Sequence, residues 1–301
     1  MIVPASPAAY RDAARELARG RLVALPTETV YGLAADARDG GAVRAVYALK
    51  GRPASNPLIT HITRPGQADD YGVMTPVAQA LAGRFWPGPL TLVVERRASN
   101  LASPLAPDAH AGLPTIALRC PDAPWREAVS GPLVMPSANR SGHVSPTRAD
   151  HVAHDFGDGL MVVDAGPCPG GIESTVVRCF DTRAHILRPG AVPEADIAKV
   201  ARLGAGEAVG SPGLLLKHYA PAAPVRLNAR EARPGEVMLG YGGVRGDIAL
   251  GDTPEEAARA LYAALREADA RGAQAIAVAP VPETGLGVAV NDRLRRAARG
   301  R

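Results

Sequence analysis

Little in this 301-residue sequence points to a resident cofactor, a disulfide scaffold or a membrane. Three cysteines, Cys120, Cys168 and Cys179, are odd in number and have no CxxC spacing. That excludes a disulfide framework or thiolate zinc site as the first reading and leaves small buried residues. No apolar run approaches the ~18 residues of a membrane helix. Met1 to Arg21 alternates alanine with charge and lacks the apolar core of a signal peptide, so the cytoplasm is the expectation. Aromatics make up only 4% of the chain, too few for a stacking surface along nucleic acid. No GxGxxG and no Walker loop occurs, and Ser137 lacks a GxSxG context. Lysine is almost missing: Lys50, Lys199 and Lys217 stand among 34 basic residues. Arginine is therefore compositional background, and the net charge of +4 is no sign of a nucleic-acid partner. Asparagine is scarce too, at Asn56, Asn100, Asn139, Asn228 and Asn291.

What is present is ordinary globular composition, with 47% hydrophobic and 21% charged residues. The 32 glycines and 28 prolines fall short of the disordered range. The length accommodates two domains. Leu22 to Leu25 reads as a buried strand ended by Pro26, followed by a loop with Thr27, Thr29 and Tyr31. Val43, Val46, Tyr47 and Lys50 then recur at helical spacing until Gly51-Arg52-Pro53, and Leu58 to Ile62 makes a second strand containing His61. This strand–loop–helix–strand unit sets two cations beside a hydroxyl-lined loop, which suits a polyanion, though an ordinary βαβ unit with a solvated helix end would look the same.

The chain around that unit has a helix at Ala8 to Arg19 and another at Tyr71 to Arg84, closed by Phe85-Trp86-Pro87-Gly88-Pro89. Strands follow at Leu90 to Glu95, Thr115 to Cys120, Pro132 to Met135, Leu160 to Asp164, Val176 to Cys179 and His185 to Arg188. Ser99 to Gly112 is a Pro-rich loop and Arg148 to Phe156 a helix. Mixed strands and helices predict an α/β domain with a mixed sheet over residues 1–192. Residues 193–224, a short helix at Ala195 to Leu203 and then Gly- and Pro-flanked sequence, read as a linker. Residues 225–301 read as a small α/β domain whose helix at Thr253 to Arg271 opens on a capping box, Thr253 with Glu256.

Polar residues gather where apolar strands end: Thr29 and Tyr31, Arg119, Ser137 and Asn139, Ser174 and Thr175, Arg188. Open α/β sheets bind ligands at such ends. Ser137-Ala138-Asn139-Arg140-Ser141-Gly142 and Ser145-Pro146-Thr147 offer hydroxyls and an amide to a ribose or phosphates, or make an ordinary turn. His151, His154 and Asp155 lack a third metal ligand nearby and read as a solvated helix face. Arg293 to Arg301 reads as a solvated helix and frayed tail.

PTETVYGL, KGRP with NPL, FWPGPLT, PSANRSG with SPT, GGIESTVV and LRPG together resemble the YrdC/Sua5 family, almost continuously from Arg21 to Gly190. SPGLLLKHYAP and GLGVAVNDRLRRAA resemble its two-domain form. The resemblance implies a YrdC-like twisted mixed sheet with a small C-terminal Rossmann-like domain. It implies synthesis of L-threonylcarbamoyladenylate and diphosphate from L-threonine, ATP and bicarbonate or CO2. That product serves N6-threonylcarbamoylation of adenosine 37 in tRNAs reading codons that begin with A. By the same resemblance Thr29, His61, Arg119, Ser137 and Ser174 lie near threonine. Lys50 and Arg52 are the catalytic cations that hold the phosphates. Asn56, Thr115, Asn139, Thr147 and Arg188 lie near the nucleotide, and His218 and Tyr219 form a lid. Magnesium is expected with the triphosphate rather than in a protein cage. The implied partners are proteins that use the adenylate, with no stable nucleic-acid binding required and no membrane. Two departures stand out: Ala123 replaces a family histidine in Pro121-Asp122-Ala123-Pro124, and Leu214-Leu215-Leu216 replaces a segment with a lysine. The role of the second domain is not legible. The competing readings are a non-catalytic RNA-binding module of the same fold and a carbamoyltransferase like those of hydrogenase maturation, whose CxxC sets are missing here.

Overall fold

Short apolar runs with buried faces on both sides make the centre of the first domain. In the computed structural model, which describes residues 1–97, 104–204 and 218–300, these runs are the strands of one large sheet. They are β1 (Ile2–Pro4), β2 (Val23–Leu25), β3 (Gly32–Asp36), β4 (Ile59–His61), β5 (Leu90–Glu95), β6 (Thr115–Arg119), β7 (Leu133–Val134), β8 (Met161–Asp164), β9 (Thr175–Cys179) and β10 (Ala184–Arg188). Their order across the sheet is β1-β8-β2-β3-β7-β4-β6-β5-β9-β10 among the described residues. Parallel pairs such as β4 with β6 and β5 with β9 alternate with antiparallel pairs such as β2 with β3 and β5 with β6. The expected mixed sheet is therefore what forms. Around it pack α1 (Pro7–Ala18), α2 (Gly40–Lys50), α3 (Ala68–Tyr71), α4 (Pro76–Phe85), α5 (Ala149–Phe156) and α6 (Glu194–Ala198).

Three local expectations are corrected. The loop after β2 does not run straight into a helix: Gly32–Asp36 first returns antiparallel on β2 and also pairs with β7. Its Gly-Leu-Ala-Ala-Asp sequence carries almost no β-propensity, so only its neighbours make it a strand. The helix expected over Tyr71 to Arg84 is split into α3 and α4. Thr75 and Pro76 restart it, since Thr75 Oγ1 accepts from Ala78 N at 3.2 Å and Pro76 sits in the first turn. The helix expected at Ala195 to Leu203 closes early, as α6, and Ile197 and Ala201 are buried in the core beside Leu81 and Val177. Residues 98–103 of the Pro-rich loop and residues 205–217 of the linker, with Leu214, Leu215, Leu216 and Lys217, lie outside the described residues.

The second sheet is parallel throughout its described pairs, in the order β11 (Val225–Arg226), β14 (Ala275–Val278), β12 (Glu236–Gly240), β13 (Ile248–Ala249). Helices α7 (Pro254–Ala270) and α8 (Gly287–Ala297) pack with it, and α7 opens on the capping box read from Thr253 and Glu256. Its core takes in Val30, Val144, Ile172 and Tyr219 from outside the domain, so the two halves share buried apolar surface.

Candidate functional site

The loop after β2 is shaped by its own hydroxyl. Thr27 Oγ1 accepts from the amides of Thr29 and Val30 at 3.1 and 3.2 Å and donates to the Val30 carbonyl at 2.7 Å. This aims Thr29 at the end of β6, where Arg119 Nη2 donates to Thr29 Oγ1 at 2.9 Å. Arg119 and His61 are opposite one another on adjacent parallel strands. Arg119 also donates to the Gly88 carbonyl and forms an ion pair at 2.8 Å with Glu28, a residue the sequence reading passed over. Burial, then the Arg119 charge, hold the His61 imidazolium well below its usual range, so the ring is neutral. Tyr31, expected with Thr29 at the site, is fully buried and donates to the Gly166 carbonyl at 2.8 Å, which makes it a core anchor.

The helix α2 ends on Gly51 in the left-handed conformation, with Lys50 in its last turn, where a cation meets the negative end of the helix dipole. Lys50 is buried and its ammonium bonds to the carbonyl oxygens of Ser137 and Asn139. Burial, reinforced by the Arg52 charge, pushes Lys50 down to about 7. Arg52 donates to the carbonyls of Asn56 and Pro57 at 3.2 and 2.9 Å, and burial lowers it to about 10. Several buried polar atoms here have no hydrogen-bond partner: Asn56 Nδ2, Asn139 Oδ1, Arg188 Nε and His218 Nδ1. Buried polar atoms are rarely left unpaired, and two of these residues, Arg188 and His218, line one cleft.

The third wall is Glu173-Ser174, at the start of β9. Ser174 Oγ is 2.7 Å from Thr91 Oγ1, and Arg188 Nη2 donates to the Ser174 carbonyl at 2.8 Å. His218 and Tyr219 face this wall, with their ring centroids 4.1 Å apart. Burial lowers His218 to about 3, so this imidazole too is neutral. Burial would raise the Glu173 carboxyl, but Arg293 and Arg188, with hydrogen bonds from Ser145 and Arg293, outweigh it and bring it to about 2.

These walls line a narrow cleft with a cavity volume of about 70 Å³. Of the residues expected from sequence, Thr29, Arg52, His61, Arg119, Ser137, Ser174, Arg188, His218 and Tyr219 line it. Lys50 and Asn139 sit behind the Ser137 loop rather than on the wall, and Asn56 is behind Arg52. Thr115 is on a separate, smaller cavity of about 10 Å³ that shares Pro57 and Leu58 with the cleft. Thr147 is buried off the cleft, its amide 3.3 Å from His151 Nδ1.

Two expectations about surface charge are overturned. His151 is buried, and Asp155 pairs with Arg266 of α7 at 2.8 Å, so this face of α5 is a domain contact and not a solvated one; His154 alone of the three is exposed. Arg293, read as part of a solvated arginine tail, is completely buried and bonds to Glu173 Oε2 at 2.8 Å. Arginine spacing on a helix carries no label for the one residue facing a carboxylate 120 positions away. The three cysteines are buried free thiols, as read, and burial raises Cys168 and Cys179 to about 12. Among the described residues no group of three or more His, Cys, Asp or Glu could hold a metal ion, and no helix is long and apolar enough to cross a membrane.

Comparison with known proteins agrees with this architecture. A family model covering Sua5, YciO and YrdC, described as "Telomere recombination", matches residues 15–190. A second, "Threonylcarbamoyl-AMP synthase, C-terminal domain", matches residues 184–299. The chain is 39% identical over 328 residues to threonylcarbamoyl-AMP synthase of Bacillus subtilis, covering 96% of this chain and 93% of that one. It is 40% identical over 323 residues to the Pyrococcus abyssi enzyme of the same name, with the same coverage of 96% and 93%. The solved structure of P. abyssi Sua5 complexed with L-threonine superposes with a TM-score of 0.88 at 37% identity, over 99% of this chain and 98% of that one. With both family models matched in order and relatives aligned over nearly its full length, the chain belongs to the two-domain Sua5 branch of the YrdC/Sua5 family.

Proposed function

We propose that this protein is a threonylcarbamoyl-AMP synthase, joining L-threonine, bicarbonate or CO2 and ATP into L-threonylcarbamoyladenylate and diphosphate. The observation that carries the reading is the meeting of Arg119, Thr29, His61 and Ser174 with Arg52 and Arg188 in one cleft of a family member. Arg119 takes the threonine carboxylate, an oriented charge-assisted contact. His61 Nδ1 is 3.2 Å from the Ile59 carbonyl, which places its proton there and leaves Nε2 to accept from the substrate hydroxyl or amine. The neutral amine nitrogen attacks CO2 and loses a proton to form a carbamate. A carbamate oxygen then attacks the α-phosphorus as the bond to diphosphate breaks. No covalent enzyme intermediate is needed, so the residues contribute orientation and charge. Arg52 and Arg188 face the phosphates, while Lys50 braces the Ser137–Asn139 loop and moves onto the triphosphate when it binds. Asn56, Asn139, Thr115 and Thr147 serve the nucleoside end. Magnesium enters with the triphosphate as part of the substrate, held by its oxygens and water. His218 and Tyr219 cover the cleft and keep water from the carbamate and adenylate.

The adenylate is labile, so a protein acceptor that moves the threonylcarbamoyl group to tRNA adenosine 37 is the expected partner, in the cytoplasm where ATP and tRNA meet. The test is incorporation of labelled bicarbonate in the presence of ATP, magnesium and threonine. The expected result is a labelled adenylate with diphosphate released in step, both strictly dependent on threonine. Folded protein that gives neither product overturns the reading.

A further inference from the structure

Arg293 stands on α8 of the second domain with its side chain fully covered. Its Nε donates to Glu173 Oε2 at 2.8 Å and its Nη1 to the Pro189 carbonyl at 2.9 Å. Its guanidinium carbon lies 5.1 Å from the centroid of the Tyr219 ring, within cation–π range. The same carboxylate accepts from Ser145 Oγ at 2.6 Å and from Tyr262 Oη of α7 at 2.8 Å. Tyr262 in turn stacks on Tyr219, with centroids 5.7 Å apart and 25° between planes. One arginine and one tyrosine of the second domain thus touch both a cleft wall and the residue that covers it.

Stability is a poor explanation for this arrangement. Desolvating a buried ion pair costs about as much as the pair returns, and apolar packing of the same volume often does as well. Position is a better one, because Glu173 immediately precedes Ser174 and both line the cleft with Tyr219. The segment is also clamped sterically. Gly171 has φ +73°, and a Cβ there would lie 2.4 Å from Arg259 Cα of α7. A Cβ on Gly190 would lie 2.4 Å from the Ser174 carbonyl carbon. Gly171 thus lies directly against α7, and Gly190 directly against Ser174 within the first domain.

We infer that Arg293, supported by Tyr262, is a positioning residue for the threonine end of the cleft, setting the Glu173–Ser174 wall and the Tyr219 cover together. The inference rests on the function proposed above and gives the second domain a part in threonine affinity. Lysine cannot replace this arginine, because a point charge cannot pair with Glu173, reach Pro189 and lie over Tyr219 together.

The experiment is steady-state kinetics in both substrates for Arg293→Met, Arg293→Lys and Tyr262→Phe, alongside calorimetric threonine binding and thermal melts. Arg293→Met is expected to raise the threonine KM by about tenfold with the ATP KM within about twofold, as expected for loss of a charged buried contact. Arg293→Lys falls with it. Tyr262→Phe keeps shape and fold, loses one hydrogen bond, and gives a smaller rise of roughly threefold in the threonine KM. Combining Arg293→Met with Glu173→Gln is expected to fall short of the sum of the two single effects, since the residues share the Nε–Oε2 contact while each has others. Arg295→Met, on the same helix in an exposed pair with Glu283, leaves both constants unchanged. An active parent whose threonine KM and affinity do not move in Arg293→Met and Tyr262→Phe overturns the inference alone. So does an equal rise in both KM values accompanied by a lowered melting temperature. A folded parent that makes no adenylate and binds no threonine overturns the functional reading, and this inference with it.

Discussion

The two ends of the cleft hold their cations in opposite ways. At the threonine end Arg119 is already neutralised: Glu28 pairs with it at 2.8 Å, and Thr29 and Gly88 take further donors. At the nucleotide end Lys50 and Arg52 have only backbone carbonyls as partners, and neither makes an ion pair among the described residues. A carbonyl dipole offsets only part of the cost of burying a charge, so both groups fall below their usual pKa, Lys50 to about 7 and Arg52 to about 10. The comparison teaches that one end holds its arginine in place with a carboxylate of the protein and the other is left short of negative charge. A triphosphate relieves that shortage, whereas a monoanion does not.

The hardest blow to the comparison is Lys50→Ala. It removes a buried cation that has only backbone carbonyls as partners, and adenylate formation is expected to fall by about 10² to 10³ in kcat/KM for ATP, with threonine binding spared. Equal loss of threonine affinity in calorimetry would show that the two ends are not separate. At the other end, Arg119→Met leaves Glu28 buried without its partner. It should destabilise the fold by about 3 kcal/mol and weaken threonine by about 10- to 100-fold. Adding Glu28→Gln should restore much of the melting temperature but none of the threonine affinity. If affinity returns as well, Arg119 is not the carboxylate anchor.

The gentlest test is pH. Lys50 of the free protein loses its proton as pH rises through about 7, and a bound triphosphate favours the charged form. Nucleotide binding at pH 8 therefore takes up a proton, and affinity weakens from pH 7 towards 9 by at most about tenfold per unit. Calorimetry in buffers of different ionisation enthalpy reads that proton directly. For folding the sign is the reverse: the unfolded chain holds the Lys50 proton up to its ordinary 10.5, so this group's share of stability rises with pH between about 7 and 10.5. Proton uptake in the parent that persists unchanged in Lys50→Ala would assign it elsewhere.

Much of the cleft was legible in the sequence because its parts are local. A strand that ends in Pro26, a helix that stops at Gly51 behind Lys50, and polar residues at strand ends each report themselves within a few residues. The buried faces of β5, β6 and β9 follow from apolar runs whose ends the structure moves by a residue at most. Less was legible where a residue's meaning depends on something distant. β3 looks like loop because its small residues have no preference of their own, and it becomes a strand only between β2 and β7. Glu28, between two threonines, carries no local signal of its partner, since Arg119 comes beside it only through β6.

Local order and chemistry were thus written in the chain: the α/β periodicities, the caps, and which motifs belong to a cleft, all set by steric and hydrogen-bonding preferences over a few residues. Tertiary structure alone decided which charges are buried and against what. Arg293 and Arg295 are two positions apart on one helix, yet one is sealed onto Glu173 and the other is open to solvent. Burial and pairing depend on the surface that packs against a residue, and that surface comes from a part of the chain more than a hundred residues away.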